Sequence, residues 1–144
     1  MIPFYALVVS YVIFRGLGLV GLSYFDQWQT PLQAAVAIML LLTASAHWGA
    51  KKTDLVRMVP PIFKKAEWIV TLTGVLEIAG AIGILIPSTS KLASICLLVL
   101  LIAMFPANIR AARENLTIGG RPTPKLFVRS ILHLVFLTAI FFAG

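Results

Sequence analysis

The chain has 144 residues, 60% of them hydrophobic and 12% charged, with a formal net charge of +7 and a mean hydropathy of +0.97. Soluble globular domains carry about 45–50% apolar and about a quarter charged residues, so that class is excluded and an integral membrane protein is expected. The single cysteine, Cys96, excludes an internal disulfide, a thiolate metal cluster and a CxxC redox pair.

A bilayer core of about 30 Å needs roughly 20 apolar helical residues, and five stretches of that length follow one another. The first covers about 2–25 and closes at Asp26, Gln27 and Gln29. It has no basic segment at its start, holds Arg15 within its apolar run and lacks a small-x-small cleavage site, so it reads as an uncleaved helix rather than a secretory signal. The second covers about 31–50, opening at Pro31, whose missing N–H suits a first helical turn. The segment Asp54 to Glu67 is too short and too basic to span. Pro60-Pro61 breaks any helix through it, so it is expected to lie at the interface or as a surface loop. The third span covers about 68–86, the fourth 92–111 and the fifth 126–143. The expected fold is one all-α transmembrane bundle of five helices.

Five spans place the N-terminus and the loops 51–67 and 112–125 on one side. That side holds Lys51, Lys52, Arg57, Lys64, Lys65, Arg110, Arg113, Arg121, Lys125 and Arg129, against Lys91 alone on the other. Basic loops stay cytoplasmic, so a cytoplasmic N-terminus and an external C-terminus in the cell membrane are expected. The basic balance reports orientation and contact with the lipid bilayer rather than nucleic acid.

Ionisable groups inside a span cost about 2.5–3.5 kcal/mol each on insertion scales and tend to have partners. Arg15, 14 residues into the first span, and Glu77, near the middle of the third, lie at similar depth, so an Arg15–Glu77 ion pair is expected. On the third span Thr73, Gly74, Gly80, Ala81 and Ile84 share the Glu77 side, while Leu72, Val75, Leu76, Ile82 and Ile86 form the other. Small residues let helices approach, so the Glu77 side is expected to pack and the branched side to meet lipid. Tyr11, Arg15, Gly18 and Leu22 form a similar stripe on the first span. His47 is in line with Thr43, Leu40 and Gln33; Asn108 sits beside Pro106, which frees the carbonyl of Ile102 and is expected to kink the helix. Arg129 and His133 are four apart on one face. A polar pocket of His47, Glu77, Asn108, Arg15 and His133, opening toward the cytoplasm, is the inference. Each member has a plainer alternative: an ion pair that only fixes packing, an asparagine bonded to its neighbour, a satisfied core histidine. No pair has the spacing of an HExxH or di-iron ExxH motif, so no metal site is expected.

Ala46-His47-Trp48, Met58-Val59-Pro60-Pro61, the run Gly74 to Pro87 containing Gly74-Val75-Leu76-Glu77-Ile78, and Phe105-Pro106-Ala107-Asn108-Ile109 together resemble the DoxX-like membrane proteins, over about residues 35–143. The resemblance implies a four-helix core, with the helix holding Arg15 an addition before it. It also implies that His47, Glu77 and Asn108 are the polar positions. Some members of that family belong to thiosulfate:quinone oxidoreductases, so it implies an accessory or ligand-binding subunit of a membrane redox system, with a quinone-like or other lipophilic small molecule near Glu77 and a redox partner subunit or a second copy as its associate. Lys125 stands where relatives often carry Gln, which weakens transfer of function from the last helix. An EXPERA-like isomerase, moving a proton within a lipophilic substrate through Glu77, and a small transporter or structural subunit remain the alternatives.

Overall fold

The computed structural model describes residues 2–21, 23–25, 27–114, 117–118, 121–122 and 125–144. Six α-helices lie among them: α1 (Ile2–Val20), α2 (Gln29–Ser45), α3 (Lys52–Met58), α4 (Ala66–Leu85), α5 (Ser90–Arg113) and α6 (Leu126–Ala143). A two-residue antiparallel pair, Thr117–Ile118 with Arg121–Pro122, lies between α5 and α6.

Helices α2, α4, α5 and α6 form a ring in which each packs on the next and α6 returns to α2, while α1 packs along the outside of α2. The buried core gathers Ala35, Val36, Met39 and Leu40 of α2 with Ala81 and Ile84 of α4, Leu97 of α5 and Ile140 of α6. Side chains elsewhere point outward in quantity: Val12 and Val20 on α1, Ile82 on α4, Leu92 and Val99 on α5 and Phe141 on α6 are all exposed. Apolar surface of that extent suits acyl chains and not water.

The α1, α4, α5 and α6 helices are long and apolar enough to cross a membrane, and α2, at 17 residues, is shorter. The expected second span, 31–50, is therefore corrected to a shorter helix that ends at Ser45. The hydroxyls of Thr43 and Ser45 bond back to the carbonyls of Leu40 and Leu42, and Ala46, His47 and Trp48 close tight turns onto Thr43, Ala44 and Ser45. The first span also stops early, at Val20, because Gly21 adopts a φ of 133° that ends a right-handed helix. Leu22 and Asp26 lie outside the described residues. Between α2 and α4 the expected interfacial segment contains α3, which stops at Met58 just before Pro60-Pro61 and leans on α4 and α5. Helix α5 runs on through Pro106 to Arg113.

The chain's direction through the ring puts the α2–α4 and α5–α6 connections at one end, with Lys51, Lys52, Arg57, Lys64, Lys65, Arg110, Arg113, Lys125 and Arg129. The start of α2 and the α4–α5 turn sit at the other. Trp28 marks one end of α2 and Trp48 the other, both exposed. The 17 helical residues between them rise about 25 Å at about 1.5 Å per residue, somewhat less than a hydrocarbon core of about 30 Å. Indoles favour the two interfaces of a bilayer.

The end away from the basic residues is closed by polar side chains. The last carbonyls of any helix lack intrahelical donors, and here Gln33 Nε2 donates to Ala143 O (2.8 Å) and to Ser90 Oγ (3.1 Å). Ser94 Oγ donates to Ile140 O at 2.7 Å, and Gln29 Nε2 to Gly144 O at 3.3 Å. Gln33→Leu leaves Ser90 without this donor and Ala143 O with Ser90 alone. An expected loss of about 1–3 kcal/mol follows, the usual consequence of stranding a buried polar partner. Unfolding by a denaturing detergent in mixed micelles measures it.

Candidate functional site

Glu77 is in the middle of α4 and 3% exposed; His47 is in the turn after α2 and 5% exposed. The residue that lets them meet is Gly74. A Cβ on it would lie 2.7 Å from His47 Cβ, 2.9 Å from His47 Cγ and 3.0 Å from the Trp48 ring. With hydrogen there instead, the turn settles on α4 and the imidazole enters the bundle. The expected division of α4 holds: Gly74, Glu77, Gly80, Ala81 and Ile84 are buried and Thr73 is half-buried, while Leu72, Val75, Leu76, Ile82 and Ile86 are exposed.

The imidazole's orientation follows from its partners. Nδ1 lies 2.6 Å from Val70 O and 3.2 Å from Thr73 Oγ1. A carbonyl only accepts, so Nδ1 carries the hydrogen. Thr73 in turn reaches Ile69 O and Val70 O. Nε2 is left facing Glu77 Oε1 at 3.4 Å. The second carboxylate oxygen, Oε2, has Thr43 Oγ1 at 2.8 Å, and that hydroxyl is also 2.9 Å from Leu40 O.

This arrangement accommodates a proton in either of two places. With Nε2 protonated, imidazolium faces carboxylate and Thr43 donates to Oε2. With the proton passed to Oε1, the acid O–H donates to the Nε2 lone pair and Thr43 still donates to Oε2. Neither state leaves the threonine unsatisfied. The charges of the pair sum to zero in both, which matters where burial penalises net charge.

The expected five-residue pocket divides into three places. The Arg15–Glu77 pair is not formed: Arg15 Nη1 donates to Phe25 O at 3.3 Å, beside the turn that follows α1. The physical reason is the early end of α1. Counted from Val20, Arg15 is only five residues deep, about 7.5 Å, within reach of the interface for a long side chain. Asn108 and His133 belong to the α5–α6 pair. Asn108 Oδ1 accepts from Arg129 Nη1 at 2.6 Å, and the His133 ring lies 4.8 Å from that of Phe105 at 37°. No hydrogen bond or ion pair between described residues joins these three places. Two surface grooves, of about 390 and 430 Å³, lie at Trp28 and Phe142 near the opposite end from His47. Cys96 faces outward on α5. Among the described residues no group of three or more His, Cys, Asp or Glu is placed to hold a metal ion.

Residues 36–141 match a family model described as a domain of unknown function, DUF8561. The chain belongs to the DUF8561 family. The resemblance to DoxX-like proteins is thereby corrected, because the stretch that carried it matches this different family. Short motifs such as Gly74 to Ile78 are rich in the small and branched residues that any close-packed membrane helix uses, and so discriminate poorly between families. The DUF8561 match begins inside α2 and covers the ring of α2, α4, α5 and α6 to within a few residues of its end, with α1 outside it. His47, Glu77, Thr43 and Thr73 all fall within it. Comparison with curated proteins and with solved structures returns no match.

Thr43 and Thr73 are the site residues whose part sequence reasoning missed. Thr43 shares a helical line with His47, but hydroxyls in membrane helices so often bond their own backbone that the line alone assigns no role.

Proposed function

We propose that this is a multi-pass membrane protein that handles protons, with the shorter α2 crossing the bilayer beside α1, α4, α5 and α6 and with the basic end in the cytoplasm. Its working group is the His47–Glu77 pair, which holds one transferable proton and exchanges it with the basic end through His47. The observation that carries this reading is the buried contact of His47 Nε2 with Glu77 Oε1, while Thr43 donates to the other carboxylate oxygen whichever partner holds the proton. An ionisable pair within a membrane bundle marks a proton or substrate pathway more often than it marks a fold. The activity class is proton-coupled transport or ligand binding. A lipophilic ligand at Glu77 would have to take the place of His47 or Thr43, since each carboxylate oxygen already faces one of them. An isomerase would need the carboxylate open to a substrate cavity. A quinone-linked role rested on the family resemblance, and the site's geometry carries it no further.

Infrared difference spectroscopy on reconstituted vesicles between acid and alkaline pH tests the proposal. A carboxyl C=O stretching band is expected to appear with protonation in the wild type, to vanish in Glu77→Gln, and to shift its titration midpoint in His47→Gln and in Thr43→Val. Arg15→Met should leave it in place. A wild-type spectrum without any Glu77-dependent band would remove the pair from a working role. Reporter fusions at the two termini test the orientation, and a reporter active outside at the N-terminus overturns it.

A further inference from the structure

The α5–α6 pair holds a second polar cluster that the proton site does not use. Arg129 is in the first turn of α6, and His133 is one turn further along the same face. Arg129 Nη1 is committed to Asn108 Oδ1, but its Nε is buried with no hydrogen-bond partner, and so is Nε2 of His133, a residue 8% exposed. Arginine only donates, so Asn108 turns its oxygen to it and keeps its amide hydrogens for something else. The groups left over at this place are therefore donors: Arg129 Nε–H, the Asn108 amide, and the His133 nitrogen, which donates when it bears a proton. The free N–H groups of the α6 first turn lie at the same end.

Among the described residues no acid answers them. The ion pairs among the described residues are His47 with Glu77, Arg57 with Asp54, and Arg110 with Glu114. A half-buried guanidinium that has an amide oxygen for company, and a buried imidazole nitrogen with no partner beside it, lack one thing in common: a negatively charged acceptor.

We propose that Arg129, His133 and Asn108 bind an oxyanion, a phosphate or carboxylate group, between α5 and α6 at the basic end. An anionic lipid headgroup and a soluble anion present the same oxygens, and the experiment separates them. The full chain is purified in micelles holding equal phosphatidylcholine and phosphatidylglycerol, and retained lipid is counted by native mass spectrometry. Its thermal midpoint is also followed in phosphatidylcholine alone as inorganic phosphate is added. With a lipid headgroup as ligand, the wild type retains phosphatidylglycerol about tenfold over phosphatidylcholine, Arg129→Gln loses the preference, and Lys65→Gln, an equal loss of charge at the same end, keeps it. With a soluble anion, phosphate raises the wild-type midpoint and not that of Arg129→Gln. Should Arg129→Gln fail to fold, Arg129→Lys, which keeps the charge but not the fork, and His133→Leu are each expected to weaken the same readout severalfold. No lipid preference and no phosphate shift in the wild type, or an equal loss in Lys65→Gln, overturns the proposal and leaves water as the partner of the two buried nitrogens.

Discussion

Replacing Glu77 with alanine is expected to lower stability by about 3–5 kcal/mol, the usual consequence of removing one partner from a buried pair. His47 remains held by Val70 O through Nδ1, so its other nitrogen still faces the bundle, now with nothing to share a proton with. Thr43 falls back on Leu40 O. Glu77→Gln should cost far less, about 1 kcal/mol, because the amide keeps an oxygen for Thr43 and offers a hydrogen to a neutral imidazole. The double variant His47→Leu with Glu77→Leu is expected to be less damaging than the two single changes added together, since no polar group is then stranded. Denaturing-detergent titrations of the four proteins give the cycle. Additive losses would mean that the two side chains do not interact.

The second large effect concerns a position with no side chain. Gly74→Ala places a methyl 2.7 Å from His47 Cβ, and that atom cannot swing away, because it is bonded to the backbone of the turn. The turn must lift from α4, at an expected cost of about 1–3 kcal/mol for overpacking, and His47 moves off Glu77 with it. Two readouts therefore change together: stability falls, and the carboxyl band of Glu77 titrates as it does in His47→Gln. Gly16→Ala on α1 is the contrast. Nothing lies within 4 Å of the added carbon there, and the helix gains up to about 1 kcal/mol from the better helix former. Equal behaviour of the two variants would show that α2 and α4 are not in close contact at residue 74.

What the sequence made legible was set by length and by side. Apolar runs placed the helices, with 126–143 matching α6 end to end, and the spacing of small against branched residues on α4 separated its packed face from its outer one. Helix ends were less accessible. The stop at Val20 depends on the backbone of Gly21, and the stop at Ser45 on hydroxyls turned back onto their own helix, neither of which hydropathy registers. The error at Arg15 came from that end. A depth measured from the wrong terminus made a cation near an interface look central, and a pairing with Glu77 followed. His47 was expected in one pocket with Glu77, but their direct contact depends on a turn and on a glycine of another helix, a relation between distant parts of the chain that no local pattern encodes.

Helix α2 is fastened at both extremities: by His47 and Thr43 against α4, and by Gln33 against Ser90 and the last carbonyls of α6. A stiff rod so tethered transmits displacement along its axis instead of absorbing it. Loosening one tether, as in Gln33→Leu, is therefore expected to reach the other, some 20 Å away at about 1.5 Å per residue. A single element thus links the His47 end of the bundle to the Ser90 end.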